Sequence, residues 1–366
     1  LFSDIPEHLR LKQQLDLPSS QTEREAKSAL QTLADMNADP RRSASFLGGG
    51  AYDHFIPSLV HQMLLLPGFL KPYTPYHGEP SQGILQVLFE YQTLIAQLTG
   101  MEIANASLYE GGTALAEAVF MARRIKKPRK ITNDTKGHAT QILVSNAVHP
   151  MYRNVLSTYA GPAQLTVRGL SIAETGKTIF PPPSRLPFPP EHVAAVVVQY
   201  PNFFGVVEDL AEARAYADSL GALLIVVATE PVALGILEPP GKFGADIVVG
   251  EGQSLGCPLG FGGPYLGLFA AKSDYLLEMP GRLIGKTKEK HGDKDGYIVT
   301  LATREQHIKR EKATSNICTN EALLCVGSAV WMSLYGRKGL RELAEQNFAN
   351  AAYLKNELAR FGDFEI

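Results

Sequence analysis

Apolar residues in the middle of the chain form short continuous runs that alternate with helix-like spacings. The runs span residues 141–149, 193–199, 223–229, 246–250 and 265–271. Stretches at 152–160 and 209–221 have the spacing of helices and separate some of these runs. Continuous apolar runs indicate strands buried on both faces, and their alternation with helices is typical of a parallel sheet covered by helices. The pattern therefore predicts an α/β fold with a mostly parallel sheet.

Helical patterns flank this region on both sides. Residues Ser81 to Gly100 predict a long amphipathic helix that ends at the glycine, and Thr113 to Ile125 predict an alanine-rich helix. Another helix is predicted to begin at Thr22, and residues 321–336 and 337–362 predict two closing helices.

Three parts follow from this arrangement. We expect an N-terminal helical or extended segment over residues 1–80, a large α/β domain over 81–320, and connecting helices with the start of a truncated C-terminal small domain over 321–366. A charged, glycine-containing loop is predicted from Gly285 to Asp295. Because the sequence lacks an initiator methionine and ends where a strand is predicted to begin, we expect it to be trimmed at both ends.

Composition excludes several classes of function. The 35 Lys and Arg residues nearly balance 37 Asp and Glu residues, which argues against a role on nucleic acid or a membrane surface. No apolar run approaches the roughly 18 residues that a membrane span needs. The 9 histidines and 3 cysteines form no metal-ligand spacing and no disulfide framework, so we expect no metal and a reducing, cytoplasmic location. Cys318 and Cys325 are predicted to share a helix.

A candidate phosphate site lies where a loop enters a helix through Gly111, Gly112 and Thr113. The unpaired N–H groups and the positive dipole end of a helix attract anions, and the threonine hydroxyl adds a donor. The alternative is a helix cap with two turn glycines, which the segment taken alone favours.

A second candidate site follows two of the strands. Glu230 comes directly after an apolar run, at the edge where parallel sheets bind ligands, although a solvated loop carboxylate is the alternative. The glycine-rich stretch from Gly250 to Gly263 lacks a dinucleotide-binding fingerprint. Gly260, Gly262 and Gly263 indicate a close crossing of two backbone segments.

Two loops carry dense polar chemistry. The proline-bounded segment KPYTPYHGEPSQG places together the candidates Tyr73, Tyr76, His77, Glu79, Ser81 and Gln82. Prolines restrict such a loop, which favours a preorganised functional surface over a simple turn in which Ser81 caps the next helix. In TREQHIKREKATSNICT, the triplet Thr314, Ser315 and Asn316 predicts a clamp for a phosphate or for main chain, whereas the preceding basic residues indicate a solvated face.

These segments together resemble glycine decarboxylase, the P-protein of the glycine cleavage system. The resemblance runs from about Phe46 to Gly336 and rests on YTPYHGEPSQG, NASLYEGGTALAEA, PPGKFGADIVVGEGQSLGCPLGFGGP and TREQHIKREKATSNICT. It implies the aspartate-aminotransferase-like fold type I of transferases that depend on pyridoxal phosphate (PLP), with the C-terminal small domain largely absent from this chain.

The resemblance also implies a division of labour between two subunits. Family members are one long chain with two homologous halves, or two subunits of which the second carries the lysine that binds PLP covalently. This sequence has Glu251-Gly252-Gln253 at the corresponding turn, so it is similar to the lysine-free first subunit. A vestigial PLP pocket is expected at Gly112, Thr113, Glu230 and Gln253.

The implied reaction involves several partners. The partner subunit, in a heterodimer expected to pair as α2β2, would use PLP to decarboxylate glycine, release CO2 and pass the aminomethyl group to the lipoyl arm of the H-protein. This chain would contribute the YTPYHGEPSQG loop on the substrate side and Thr314, Ser315 and Asn316 near the cofactor phosphate. Lys286, Lys288 and Lys290, with the proline-rich loop at 180–190, are candidates for H-protein docking.

Three other interpretations remain open at this point. In the first, the chain is a non-catalytic scaffold or regulatory subunit of the same complex. In the second, it is a stand-alone PLP enzyme that uses Lys242 or Lys272, and in the third it is a nucleotide-binding oxidoreductase. Neither lysine follows the strand that ends at Gly250, and no complete phosphate loop follows the first strand, so the last two are disfavoured.

Overall fold

The computed structural model describes residues 2–38, 43–44, 48–70, 75–126, 141–290 and 292–362. The helices are α1 Glu23–Ala34, α2 Ser58–Leu64, α3 Pro67–Leu70, α4 Gln82–Thr99, α5 Gly111–Lys126, α6 Pro150–Ala160, α7 Leu210–Ser219, α8 Gln306–Lys309 and α9 Ala322–Ala359. The strands are β1 Ile103–Ala104, β2 Gln141–Ser145, β3 Thr166–Leu170, β4 Val193–Gln199, β5 Leu223–Ala228, β6 Ile247–Glu251, β7 Gly267–Ala271, β8 Leu283–Lys288 and β9 Asp295–Thr300.

The chain divides into two compact units, Leu1–Gly48 and Gly49–Ile366. The first unit contains α1, which begins with a capping box. The Thr22 hydroxyl accepts from the Glu25 amide, and the Glu25 carboxylate accepts from the Thr22 amide. Two otherwise unpaired amides are satisfied in this way, so Thr22 caps the helix at its predicted start and α1 itself begins at Glu23.

The second unit contains a seven-stranded sheet in the order β1-β7-β6-β5-β4-β2-β3. Strands β2 to β6 are parallel, and β7 runs antiparallel to both of its neighbours. Strand β4 has the predicted bounds because its continuous run of β-branched and small residues suits a strand with both faces buried. The prediction of a mostly parallel α/β sheet is confirmed.

Helices cover both faces of the sheet. Alternate residues along β5 point to opposite sides: Leu224 and Val226 pack in one core, and Ile225 and Val227 in the other. Helices α4, α7 and α9 contribute to the first core, and α5 and α6 to the second. This packing leaves the carboxyl ends of β2, β4, β5 and β6 at one edge, where the loops that follow them meet.

One loop prediction was wrong at both of its ends. Residues 285–288 belong to β8 and Asp295 begins β9, and these strands form an antiparallel hairpin in which Lys286 pairs with Tyr297 and Lys288 with Asp295. Only the first two residues of β8 are buried, so its charged outer half gives no apolar alternation to predict a strand. Cys318 was also placed wrongly, since α9 begins at Ala322.

Helix ends follow from local chemistry. Gly100 adopts a left-handed conformation (φ 69°) and ends α4 as predicted. Ser81 occupies the position before α4, but its side chain makes no capping hydrogen bond. Gly336 breaks the helical backbone inside α9 (φ 55°), which separates the two predicted closing helices. No helix within the described ranges is both long and apolar enough to cross a membrane.

Candidate functional site

The start of α5 lies at the carboxyl edge of the sheet, and carboxylates of this chain cover it. Helix α5 begins at Gly111, two residues before the predicted start. The amides of Gly112 and Thr113 donate to the two carboxylate oxygens of Glu110, at 2.5 and 2.6 Å. The Thr113 hydroxyl donates to the Glu110 carbonyl at 3.0 Å. The donors predicted to hold a phosphate are therefore engaged within the chain.

A second carboxylate, Glu251 at the end of β6, reaches the same place. Its Oε2 accepts from the Gly111 amide at 3.0 Å, and its Oε1 accepts from the amides of Gln253 (3.0 Å) and Leu266 (2.9 Å). Burial raises the pKa of Glu251 to about 8. The three amide donors lower the pKa, and the nearby Glu110 carboxylate raises it, so the donors offset only part of the effect of burial. Glu251 thus ties α5 to the end of the sheet.

Glu230 follows β5 as predicted, yet its carboxylate is not free. Its Oε1 accepts from the Val232 amide at 3.1 Å and from the Ser254 hydroxyl at 2.8 Å. Burial raises the pKa of Glu230. Ser254 lies in the turn after β6, so the side chain nearest this carboxylate on that turn is a hydroxyl and not an amine.

Gln253 binds main chain. Its Oε1 accepts from the Tyr52 amide at 2.9 Å, while its Nε2 donates to the carbonyls of Tyr52 and Cys257, both at 2.9 Å. Nearby, the His149 ring contacts the Gly49 carbonyl through Nε2. The segment at 49–54 therefore lies against the same edge and occupies the polar groups there.

These contacts leave no fit for PLP at the carboxyl edge of the sheet, as far as the described residues form it. Two carboxylates engage the first amides of α5, Glu230 binds Ser254, and the turn after β6 offers no amine. Lys272 is excluded because β7 is antiparallel: it follows β7 at the opposite edge, where its Nζ lies 2.5 Å from Asp246. Lys242 is exposed and pairs with Glu238.

In the glycine-rich stretch from Gly250 to Gly263, the glycines that allow close backbone contacts are not all those that the sequence predicts. Gly250 is a position of close approach, because a Cβ there would lie 2.0 Å from the Ala228 carbonyl oxygen. Gly260, Gly262 and Gly263 adopt positive φ angles. A Cβ at Gly260 would lie 2.8 Å from the Gly263 carbonyl oxygen, whereas one at Gly262 would meet nothing. The predicted close approach of backbone is therefore confirmed at Gly260 and wrong at Gly262, where the positive φ angle alone favours glycine.

The two polar loops meet at Tyr76. Its hydroxyl lies 2.9 Å from the Thr319 hydroxyl and donates to the Asn320 carboxamide oxygen, while the Asn320 amide reaches the Ala106 carbonyl. The Arg282 guanidinium stands 4.7 Å from the centre of the Tyr76 ring. Segments far apart in sequence thus form one surface.

Arg282 is the functional candidate that the sequence did not reveal. Its guanidinium pairs with Glu305 and donates to the Cys318 carbonyl at 3.1 Å, in addition to covering Tyr76. It begins the hairpin in the segment PGRLIG, which carries no motif of its own. Only the contacts with two distant loops identify it.

The other residues of the YTPYHGEPSQG loop differ in their surroundings. His77 and Glu79 are exposed, and Ser81 is buried. The Gln82 side chain bonds in both directions to the backbone of Tyr297 in β9, at 2.8 and 2.9 Å. Tyr73 lies outside the described residues.

The Thr314–Ser315–Asn316 segment lies beside Arg282. Thr314 and Ser315 line a small cavity with Arg282 and Arg304, and Asn316 is exposed. Burial lowers the pKa of Arg304 to about 10, which still leaves it cationic near neutral pH. The surface therefore combines Arg304 and the Arg282–Glu305 ion pair with hydroxyl and amide groups, and Glu305 offsets part of its positive charge.

Comparisons with known proteins agree with this architecture. The glycine cleavage system P-protein family matches residues 1–365. "Probable glycine dehydrogenase (decarboxylating) subunit 1" of Geobacillus sp. strain WCH70 is 45% identical over 368 residues, which cover 99% of this chain and 77% of the relative. The Thermotoga maritima protein of the same name is 46% identical over 362 residues, with 99% and 78% covered.

Solved structures give the fold. The crystal structure of glycine decarboxylase (P-protein) in inhibitor-bound form has a TM-score of 0.83 at 43% identity, covering 93% of this chain and 73% of that one. Glutamate decarboxylase of Lactobacillus brevis has a TM-score of 0.67 at 15% identity, covering 100% and 79%, which supports the fold alone. The fold is type I of the PLP-dependent enzymes, and the chain belongs to the glycine cleavage system P-protein family.

Proposed function

We propose that this chain is subunit 1 of a two-subunit glycine dehydrogenase (decarboxylating), in which a partner subunit binds PLP covalently. The relatives carry this name, and the word subunit implies a second chain. The proposal rests on the hydrogen bonds made by the polar groups at the carboxyl edge of the sheet. Among the described residues, the polar groups of this edge bind other groups of the chain and none of them is an amine, whereas the surface around Tyr76 is polar and accessible in part.

The Tyr76 surface then completes the partner's site. Tyr76 with Glu79 faces the substrate side, and Thr314, Ser315 and Asn316 approach the cofactor phosphate. Arg282 links the loop that contains Tyr76 to the loop that contains residues 314–316, because its guanidinium contacts the Tyr76 ring and donates to the Cys318 carbonyl. The aminomethyl group formed from glycine passes to the lipoyl arm of the H-protein, and the assembly is an α2β2 tetramer.

Docking of the H-protein at the lysine-bearing hairpin has weaker support. Lys286 and Lys288 both pair with Asp295, at 2.7 and 2.8 Å, so much of their charge is neutralised locally. Lys290 is exposed. A change of Lys290 to Glu that leaves H-protein affinity unaltered would remove this surface from consideration.

A trapping experiment tests which of the two subunits binds the cofactor covalently. The complex of this chain with its partner is incubated with PLP, reduced with borohydride and analysed by mass spectrometry. We expect a pyridoxyl adduct on the partner and none on this chain. A stoichiometric adduct on Lys242 or Lys272 would show that this chain is an enzyme by itself.

Substitutions of exposed residues distinguish a subunit that contributes side chains to the shared site from a non-catalytic scaffold. Glu79 and Asn316 are exposed, so Glu79→Ala and Asn316→Ala should change the unfolding free energy by less than about 0.5 kcal/mol. In a shared site each lowers glycine decarboxylation by the complex, while Glu174→Ala, a loop glutamate elsewhere, does not. Full turnover in both site variants would identify a scaffold.

A further inference from the structure

A buried carboxylate lies beside the loop that contains residues 314–316. Glu117, in the second turn of α5, is 4% exposed, and its Oε2 has no hydrogen-bond partner among the described residues. Arg124, two turns further along the helix, makes its ion pair with Glu278, at 3.0 Å. Burying a carboxylate without an ion pair is costly, so an apolar side chain would suit this position better unless the carboxylate has a task.

Ser315 is the group that this carboxylate binds. Burial raises the pKa of Glu117, and a hydrogen bond from the Ser315 side chain, together with the charge of Arg124, offsets part of that effect. The Ser315 Oγ also accepts from the Ile317 amide at 3.0 Å, and Ile317 packs against the core that contains α5. A hydroxyl carries one hydrogen, so Ser315 has no donor left for a phosphate.

The loop is anchored on both sides of this serine as well. The Thr314 amide donates to the Arg304 carbonyl at 3.1 Å. The Cys318 amide donates to the Tyr109 hydroxyl at 3.2 Å. Asn316, between these anchors, is exposed, and Thr314 lines the small cavity beside Arg304. The side chains on either side of the inward-bound serine are therefore those that remain to meet a ligand.

We propose that Glu117 is a positioning residue. Its bond to the Ser315 hydroxyl fixes the loop so that the Thr314 hydroxyl and the Asn316 carboxamide meet the phosphate of the cofactor that the partner subunit binds. The inference rests on the proposed function, and it makes Ser315 a link inside this chain and not a phosphate ligand. Glu117 itself touches neither substrate nor cofactor.

Two substitutions of Glu117 separate this link from general stability. Glu117→Met keeps the length of the side chain and removes both the acceptor and a buried charge, so the melting temperature should not fall. Glu117→Gln keeps an acceptor oxygen and should preserve the loop. Ser315→Ala removes the donor. Its control is Ser333→Ala, because the Ser333 hydroxyl bonds within α9, 2.7 Å from the Ala329 carbonyl.

Trypsin tests the link in the full chain without its partner. The exposed segment 309–312, KREK, contains trypsin sites just before the loop, so cleavage there reports how readily the loop opens. We expect Glu117→Met and Ser315→Ala to be cleaved about fivefold faster than wild type, which is the contribution of one hydrogen bond. Glu117→Gln and Ser333→Ala should match wild type. Equal rates in all of these chains would overturn the proposal.

The complex with the partner subunit tests the consequence for the cofactor. The half-saturating concentration of PLP and the Michaelis constant for glycine are measured for each variant. Glu117→Met and Ser315→Ala should each raise the half-saturating PLP concentration about fivefold and leave the Michaelis constant for glycine within about twofold of wild type. A general disturbance of the site would change both quantities. The double variant should bind PLP no more weakly than the weaker single variant, because both substitutions break the same bond.

Two results in the complex would overturn the inference. One is unchanged PLP binding in Glu117→Met and Ser315→Ala when trypsin shows that their loops open, and the other is a loss in the double variant equal to the product of the single losses. If Glu117→Met does not fold, Ser315→Ala serves both tests. Borohydride trapping separates the two proposals. An adduct on this chain would refute the proposed function, whereas an adduct on the partner with unchanged PLP binding would refute this inference alone.

Discussion

Glu251 should make the stability of this chain fall as pH rises through the neutral range. Its carboxyl is buried at the end of β6, and burial raises its pKa to about 8 from 4.5. Between these values the folded chain keeps a proton that the unfolded chain releases. The free energy of unfolding therefore decreases as pH rises above the unfolded pKa, and the loss is complete above the folded pKa.

The expected size follows from one proton. Each pH unit in the middle of this window costs about 1.4 kcal/mol, so the wild-type chain should lose about 2–3 kcal/mol between about pH 5.5 and 7.5 from this group. Glu251→Gln has no titrating carboxyl. It also loses an acceptor for one of three amides, which lowers its stability by an amount that does not vary with pH.

Urea unfolding at a series of pH values gives the unfolding free energies of the wild-type chain and of Glu251→Gln. The difference between their unfolding free energies cancels the titrating groups that do not interact with Glu251, so it reports Glu251 together with its coupling to Glu110. We expect this difference to change in favour of the variant by about 2–3 kcal/mol across the two pH units. Parallel curves for the two proteins would refute the reasoning, because they would mean that the folded carboxyl has an ordinary pKa.

Two further predictions concern the sheet. Asp246 is 5% exposed and binds both Arg214 and Lys272, so Asp246→Asn should cost about 3–5 kcal/mol in urea unfolding, whereas Asp218→Asn, which removes an exposed partner of the same arginine, should cost less than about 0.5 kcal/mol. Equal losses would contradict the assignment of the buried pair. Gly250→Ala should cost more than about 3 kcal/mol, since its Cβ meets a carbonyl oxygen on β5; a melting temperature within a degree or so of wild type would disprove the close approach.

The core of the fold could be predicted because burial on both faces leaves a clear signature. Strand β4 is a run of valine and alanine that ends in Gln199, and it has the predicted bounds. The β8–β9 hairpin could not be predicted, because its lysines face solvent and give neither a buried run nor alternation. A strand at the surface of a small sheet is defined by its hydrogen bonds, which the sequence does not display.

The candidate site was predictable only as separate pieces. The chemistry of the Tyr76 loop and of residues 314–316 is visible in the sequence, but their contact depends on Asn320 and Arg282. Likewise, Glu110 precedes the predicted phosphate glycines, and nothing in a linear motif shows that its side chain folds back onto them. Long-range packing and local backbone direction decide both features.

The contact between Glu230 and Ser254 has a consequence for protein engineering. A substitution such as Ser254→Lys would return an amine to the neighbourhood of that carboxylate, yet Glu110 would still close the start of α5 and Gln253 would still hold the backbone at Tyr52. Converting this chain into a self-sufficient catalyst therefore requires concerted changes in separate elements. Under the proposal that the partner alone binds PLP, no single one of these substitutions would open the whole site, because each of the three contacts lies in a different element.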